Sequence, residues 1–246
     1  MRLLLLAAGK SSRIYSKIKK NKCLININQK SLIRNIIDNA FKSKINQIDI
    51  ITGFKPNNIK RDLEDYKKIR YINNSKFNST DMVYSALLGL KKAKKDTIIS
   101  YTDIIYSKNI FKILSSNSKK YITIPYIKNW KKIWKQRNKS IFGDAETFHV
   151  DAHSNLREIG NKINKKNLKS INGQFMGIIF IPSGLIQKTI NKYKTYKNKK
   201  LQFTGFINKL IMDNIKIKCL EYKDFWYEID DIQDYKNFIK LKKIKY

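Results

Sequence analysis

The chain has 246 residues, 42% of them hydrophobic, which suffices for one sizeable core and argues against several independent domains. Its formal charge of +33 reflects 52 basic against 19 acidic residues, yet only seven of the basic residues are arginine and the lysines spread over every segment, so a compositional bias explains the charge better than a nucleic-acid-binding face. No apolar run approaches the roughly 20 residues of a membrane span; Cys23 and Cys219 lie far apart in apolar segments, which excludes a disulfide framework and reads as reduced thiols of a cytoplasmic protein.

Along the chain, Arg2 to Leu6 reads as a buried strand. A secretory signal is the other reading of Leu3 to Ala8, but such a core needs roughly 7 to 15 apolar residues and this run is shorter and leads into Lys10 and Arg13. Helices are expected over Ser31–Lys42, Pro56–Lys67 and Ser79–Lys92, the last with Ser79, Thr80 or Asp81 as cap, and strands over Gln47–Thr52, Ile69–Ile72 and Thr97–Tyr101. Beyond about Tyr121 the rhythm changes. Tyr121–Tyr126 and Thr147–Ile159 read as strands, the latter folded at Asp151–Asn155, and Asn172–Ile181 reads as another. Helices over Pro182–Lys194 and Thr204–Asn214, strands around Ile215–Leu220 and Trp226–Ile229, and a lysine-rich helix from about Asp231 complete the chain. The alternation predicts an α/β fold of the Rossmann-like kind, a mostly parallel mixed sheet with helices on both faces, in one domain over residues 1–246 with a small inserted lobe over roughly 121–175. Ligands of such sheets bind at the carboxyl ends of the strands.

Three groups of residues carry chemistry. Leu6, Ala7, Ala8 and Gly9 end the first strand in small residues whose bare amides admit a phosphate; Ser11 and Ser12 add hydroxyls, Arg13 a forked cation and Lys22 a second one. Asp103 and Asp230 each follow a strand, a placement that suits a hard cation such as Mg²⁺ and equally suits a helix cap. Trp130 and Trp134, with Tyr126 and either Tyr101 or Tyr106, offer aromatic faces to a cationic head, while the four-residue spacing of the tryptophans fits core packing as well. Arg137 suits a bidentate hold on a phosphonate or phosphate, or an ion pair with Asp144. His149 and His153 flank the expected turn and receive no role.

The order Leu-Ala-Ala-Gly-x-x-x-Arg over Leu6–Arg13, with lysine in Asn21-Lys22-Cys23-Leu24, resembles the signature of nucleotidyltransferases of the glycosyltransferase-A-like fold. Their usual form has a second glycine where Ser11 or Ser12 stands and a proline where Asn21 stands. Trp226–Tyr235 resembles the closing motif of cytidylyltransferases acting on phosphonates or phosphocholine, and Thr80–Ser85 is similar to a segment near the nucleotide in that group. Trp130-x-x-x-Trp134-x-x-Arg137 followed by Asp144-Ala145-Glu146 is similar to the cytidylyltransferase domains joined to phosphoenolpyruvate mutases. The resemblance implies Mg²⁺ on Asp103 and Asp230, and Arg13 and Lys22 as catalytic cations. It implies a nucleotide site of Leu6, Ala7, Ala8, Gly9, Ser11, Ser12, Arg13, Lys22, Ser79, Thr80 and Ser85, and an acceptor site drawn from Tyr101, Trp130, Arg137, Asp144, Glu146, Gln174 and Glu228. Gln174 stands where many relatives have glutamate. The implied reaction joins CMP from CTP to a small phosphonate, of the 2-aminoethyl- or 2-hydroxyethylphosphonate type, or to a phosphocholine-like acceptor. A sugar-1-phosphate nucleotidyltransferase is the alternative within the class, and a basic nucleic-acid-binding protein the alternative outside it.

Overall fold

The structure is a computed structural model that describes residues 1–27, 29–137, 139–196 and 201–243. In chain order its elements are β1 (Arg2–Ala7), α1 (Ser12–Ile18), β2 (Asn26–Ile27), β3 (Lys30–Ser31), α2 (Leu32–Lys42), β4 (Ile48–Thr52), α3 (Pro56–Asp62), β5 (Ile69–Asn73), α4 (Met82–Leu90), β6 (Thr97–Tyr101), β7 (Ile104–Tyr106) and α5 (Asn109–Ser115). There follow β8 (Ile122–Ile127), α6 (Trp130–Arg137), α7 (Ile141–Asp144), β9 (Glu146–Val150), β10 (Leu156–Lys162), β11 (Gln174–Phe175), β12 (Ile178–Ile181), α8 (Ser183–Thr195), α9 (Phe203–Met212), β13 (Ile217–Glu221), β14 (Trp226–Glu228) and α10 (Ile232–Lys243).

Among the described residues, eight strands form the main sheet, in the order β11-β8-β12-β6-β1-β4-β5 with β13 beside β8. The β6-β1-β4-β5 half is parallel, and β12 runs antiparallel to β6, as a mixed sheet requires. Alternation along β1 sorts its side chains onto both faces. Leu3, Leu5 and Ala7 join one apolar cluster, under α2 and α5, while Leu4, Leu6 and Ala8 join the other, under α4, α8 and α9. A central strand buried on both sides has no polar residue to spare, which is why Leu3 to Leu6 is an unbroken apolar run.

Several boundaries differ from expectation for identifiable reasons. The helix expected from Ser79 begins at Met82, because Asp81 is its cap, accepting the Val83 N–H at 3.1 Å, while Ser79 and Thr80 close a turn onto the Lys76 carbonyl. The strand expected over Asn172–Ile181 is two strands that both run antiparallel to β8, interrupted at Gly177, whose φ of +79° breaks the extended backbone between them. β8 lies inside the main sheet, so the excursion expected over 121–175 leaves the sheet only after Ile127, as α6, α7 and the β9–β10 hairpin. That hairpin turns at Asp151–Asn155, where the Asp151 carboxylate gathers the N–H groups of His153 and Asn155. Both cysteines are buried and free. Among the described residues no helix is long and apolar enough to cross a membrane.

Candidate active site

A cleft of about 410 Å³ opens where β1 and β6 end, between the loop after β1 and the corner joining β14 to α10. One wall is Leu6, Ala7, Ala8, Gly9, Ser11 and Arg13. A Cβ built on Gly9 meets no protein atom within 4 Å, so the glycine leaves its space to whatever enters the cleft. Ser11 adopts left-handed backbone at φ 53°, a conformation that favours glycine and that the loop imposes on a serine here. Its hydroxyl accepts the Lys22 N–H at 3.3 Å, which ties the loop to the second cation. Asn21 has φ −56°, a value proline would fix, and holds the Phe54 carbonyl through its side chain at 2.9 Å instead.

Three ionic side chains converge on the floor. Lys22 Nζ stands 2.8 Å from Asp103 Oδ2 and 2.8 Å from Asp230 Oδ1, and the Arg13 guanidinium binds the other oxygen of Asp230. Lys22, Asp103 and Asp230 are 15%, 19% and 20% exposed, against 71% for Arg13, so the first three are shielded yet reachable from the cleft. Burial opposes the charge on Lys22, but the two carboxylates outweigh it and hold its ammonium above the ordinary range. Burial also works against ionised Asp230, and Lys22 and Arg13 pull its carboxyl below the usual range. The alternative roles of the two aspartates fall to other residues: Asp231 Oδ1 accepts the N–H of Asp234, and Ser107 Oγ accepts that of Asn109 at the start of α5.

The donor set fits a divalent cation. Two carboxylates share one point in the cleft, and Asp103 Oδ1 is buried without a hydrogen-bond partner, an acceptor that protein atoms leave unused. Among the described residues no group of three or more His, Cys, Asp or Glu clusters as a metal site. Two carboxylates completed by phosphate oxygens are the Mg²⁺ pattern, not that of a closed protein cage.

The other end of the cleft is built by the loop after β5. Asn74, buried, donates to Thr80 Oγ1 at 3.1 Å and Ser85 Oγ at 3.0 Å, and accepts the Lys76 N–H. Thr80, Asp81, Met82, Ser85 and Phe77 face the space, and burial raises the Asp81 carboxyl to about 6. Asp81, Phe77, Met82, Asn21, Thr102 and Gln202 also line the cleft. Asn21, Asp81 and Met82 lie inside the motifs given above, Asp81 serving as a cap as well; Phe77, Thr102 and Gln202 carry no local pattern that marks a ligand. Ser12 and Ser79, expected at the nucleotide, are exposed and outside the cleft lining.

Of the expected acceptor residues, Tyr101 and Glu228 line the cleft. Burial raises the Glu228 carboxyl to about 7, against the pull of Arg137 and with the push of Asp103 and Asp230. Glu146 is half-buried, with burial raising its carboxyl, and lies outside the lining. The remaining expectations are corrected. Trp130 is 1% exposed and packs edge-on against Trp134 in the core, because residues four apart on a helix share its inward face. Arg137 is fully buried, its guanidinium committed to Asp234, Glu228 and, at 3.8 Å, Asp144. Gln174 is buried and brackets Glu146, its Oε1 taking the N–H and its Nε2 giving to the carbonyl. A glutamate there would accept only, so the amide suits this double contact better than the carboxylate of relatives.

Comparison with known proteins follows the same lines. Residues 3–130 match the MobA-like NTP transferase domain family. The chain is 29% identical, over 95% of its length and 97% of the relative's, to the CTP:phosphoglutamine cytidylyltransferase of Campylobacter jejuni. Its fold is similar to that of the inositol-1-phosphate CTP transferase of T. maritima (TM-score 0.78, 16% identity, 98% and 96% of the two chains). It is also similar to the CTP:phosphocholine cytidylyltransferase of Streptococcus pneumoniae (TM-score 0.73, 18% identity, 100% and 99%) and to a putative glucose-1-phosphate thymidylyltransferase of Bacillus anthracis (TM-score 0.79, 18% identity, 98% and 94%).

Proposed function

The chain belongs to the MobA-like NTP transferase family, and from that premise we propose that it is a Mg²⁺-dependent cytidylyltransferase that joins CMP from CTP to a small phosphate- or phosphonate-bearing acceptor and releases pyrophosphate. The observation that carries the reading is the convergence of Lys22, Asp103 and Asp230 beside the open Gly9 loop. In the reaction an acceptor oxygen forms a bond to the α-phosphorus while the bond to the α,β-bridging oxygen breaks, and pyrophosphate leaves with the electron pair. No covalent enzyme intermediate is needed, and the described residues offer no activated nucleophile: both thiols are buried, and burial pushes that of Cys23, beside the cleft, to about 12.

Catalysis then rests on position and charge. The loop amides around Gly9 lie where the triphosphate enters, and Ala8 and Leu6 hold it against the strand ends. Lys22 and Arg13 rest on Asp103 and Asp230 in the free protein; when the nucleotide arrives they turn to its phosphate oxygens and neutralise the charge that grows on the departing pyrophosphate. Asp103 and Asp230 would hold Mg²⁺, which when bound neutralises phosphate charge and fixes the triphosphate's conformation. The base is given the far end of the cleft, at Phe77, Thr80, Asp81 and Ser85, and the acceptor the end at Tyr101, Gln202 and Glu228. The match to the CTP:phosphoglutamine cytidylyltransferase spans nearly both sequences, so a phosphorylated amide joins phosphocholine and 2-aminoethylphosphonate as the first acceptors to try.

Pyrophosphate release across CTP, UTP, ATP and GTP, crossed with phosphoglutamine, phosphocholine, 2-aminoethylphosphonate and glucose-1-phosphate, tests the proposal. CTP with one of the first three acceptors is expected to turn over fastest. Turnover of glucose-1-phosphate alone would replace the proposal with a sugar-1-phosphate nucleotidyltransferase, and another nucleotide used in preference to CTP would overturn the cytidylyl assignment.

A further inference from the structure

The tryptophan–arginine segment of α6 takes no part in the reaction above, and its surroundings give it another task. Trp130, Trp134 and Arg137 recur at i, i+4 and i+7 and form one inward stripe. That stripe abuts the corner where β14 turns into α10. Trp134 stacks on Trp226 of β14, ring centres 6.3 Å apart and planes 15° apart, and the Arg137 guanidinium lies over Trp134, 5.1 Å from its centre. Arg137 Nε and its second terminal nitrogen reach the two oxygens of Asp234 at 3.0 and 3.1 Å, with both side chains fully buried.

Asp234 in turn holds the backbone of the corner. Its Oδ2 accepts the N–H of Asp230 at 3.0 Å and that of Asp231 at 3.2 Å, and its own N–H donates to Asp231 Oδ1 at 2.9 Å. Asn237 Nδ2 donates to the Arg137 carbonyl at 3.0 Å, and the remaining Arg137 nitrogen faces Glu228 at 3.0 Å, two residues before Asp230. A guanidinium fork on one side and two backbone donors on the other fill the acceptor positions of a carboxylate in a fixed geometry.

We infer that Arg137 and Asp234 are a positioning pair: they set the backbone at Asp230 so that its carboxylate points at Lys22 and Asp103. The inference uses the reading of Asp230 as a metal ligand, and it makes the conspicuous aromatic motif of α6 a buttress of the cation site instead of a substrate pocket. A second buried pair shows the contrast. Asp49 lies between Arg2 at 2.8 Å and Arg70 at 2.6 Å, and none of the three lines the cleft.

Asp234→Asn keeps the shape of the side chain but turns one acceptor into a donor that opposes either the guanidinium or the two N–H groups. Asp49→Asn makes the same change where only stability is at stake. Two readouts on both variants decide the matter: amide hydrogen exchange at Asp230 and Asp231, and the Mg²⁺ concentration that half-saturates turnover at saturating CTP. For Asp234→Asn the two amides are expected to lose protection and the half-saturating Mg²⁺ to rise about tenfold; for Asp49→Asn, with a comparable loss of Tm, both should stay as in the unaltered protein. Arg137→Lys, which keeps the charge but loses the fork, should fall between them. Unchanged exchange in Asp234→Asn, or lost protection with an unchanged Mg²⁺ requirement, overturns the inference. If the unaltered protein releases no pyrophosphate from CTP the functional reading fails, while the exchange data still report whether the pair holds the corner.

Discussion

Two clusters of arginine or lysine with aspartate lie within one corner of this molecule and differ in one respect. In the first, Lys22 sits between Asp103 and Asp230 with each group 15–20% exposed to the cleft; in the second, Arg137 and Asp234 are fully buried. Charges reachable from solvent can exchange partners, since water and a ligand's own charge compensate each group as it is released. Charges sealed in the core cannot, because separating them leaves an ion without solvation. The open cluster is therefore suited to work, handing its lysine to a phosphate and its carboxylates to a cation, and the sealed one to hold the first in place. Asp230 joins the two through its side chain on one side and its N–H on the other.

Substitutions can break this contrast at different strengths. The largest effect is expected at the carboxylates: Asp103→Asn or Asp230→Asn should lower kcat on the order of 10³-fold with the fold intact, as judged by circular dichroism. Next comes the sealed pair, where Arg137→Met should cost about 3–5 kcal/mol of stability in denaturant unfolding, because among the described residues buried Asp234 keeps only the longer 3.6 Å ion pair with Lys139. Lys22→Met should lower kcat by about 10²-fold yet tighten Mn²⁺ binding to the nucleotide-free protein several-fold, because the two carboxylates lose their resident cation. Equal or weaker Mn²⁺ binding in that variant, followed by electron paramagnetic resonance, would show that Lys22 does not compete for the site.

The smallest effect concerns Asp81, whose carboxyl burial raises to about 6. The folded state then binds a proton more tightly than the unfolded one, so this group's unfavourable contribution is absent at low pH and grows as pH rises past its unfolded value toward 6. Asp81→Asn retains the capping oxygen and removes that contribution. It should raise Tm at pH 8 by a few degrees, about 1 kcal/mol after allowing for partial exposure, and the gain should vanish near pH 4.

The sequence showed the scaffold of the open cluster because local pattern encodes it. An apolar run ending in Ala7, Ala8 and Gly9 reports both a central strand and the bare backbone at its end, and Asp103 and Asp230 follow strand-like runs directly. The left-handed backbone at Ser11 was not legible, because serine carries no local mark of a positive φ. The sealed cluster stays ambiguous in the sequence for the opposite reason. Trp130, Trp134 and Arg137 are residue types that serve ligands and cores alike, and the contact of residue 137 with residue 234, distant in sequence, is what commits them to the core. Phe77 and Gln202 reach the cleft through loop conformations that no periodicity encodes.

Nucleotidyl transfer at the Lys22–Asp103–Asp230 cleft is tested most directly by phosphorus NMR of the protein with CTP, Mg²⁺ and an equal mixture of phosphoglutamine, phosphocholine and 2-aminoethylphosphonate. CTP is expected to disappear as pyrophosphate and a CMP-linked product rise in equal amounts, and Asp103→Asn to leave the spectrum unchanged over the same time. Conversion of CTP to CDP and orthophosphate, or equal amounts of the CMP-linked product from both proteins, would contradict nucleotidyl transfer at this cleft.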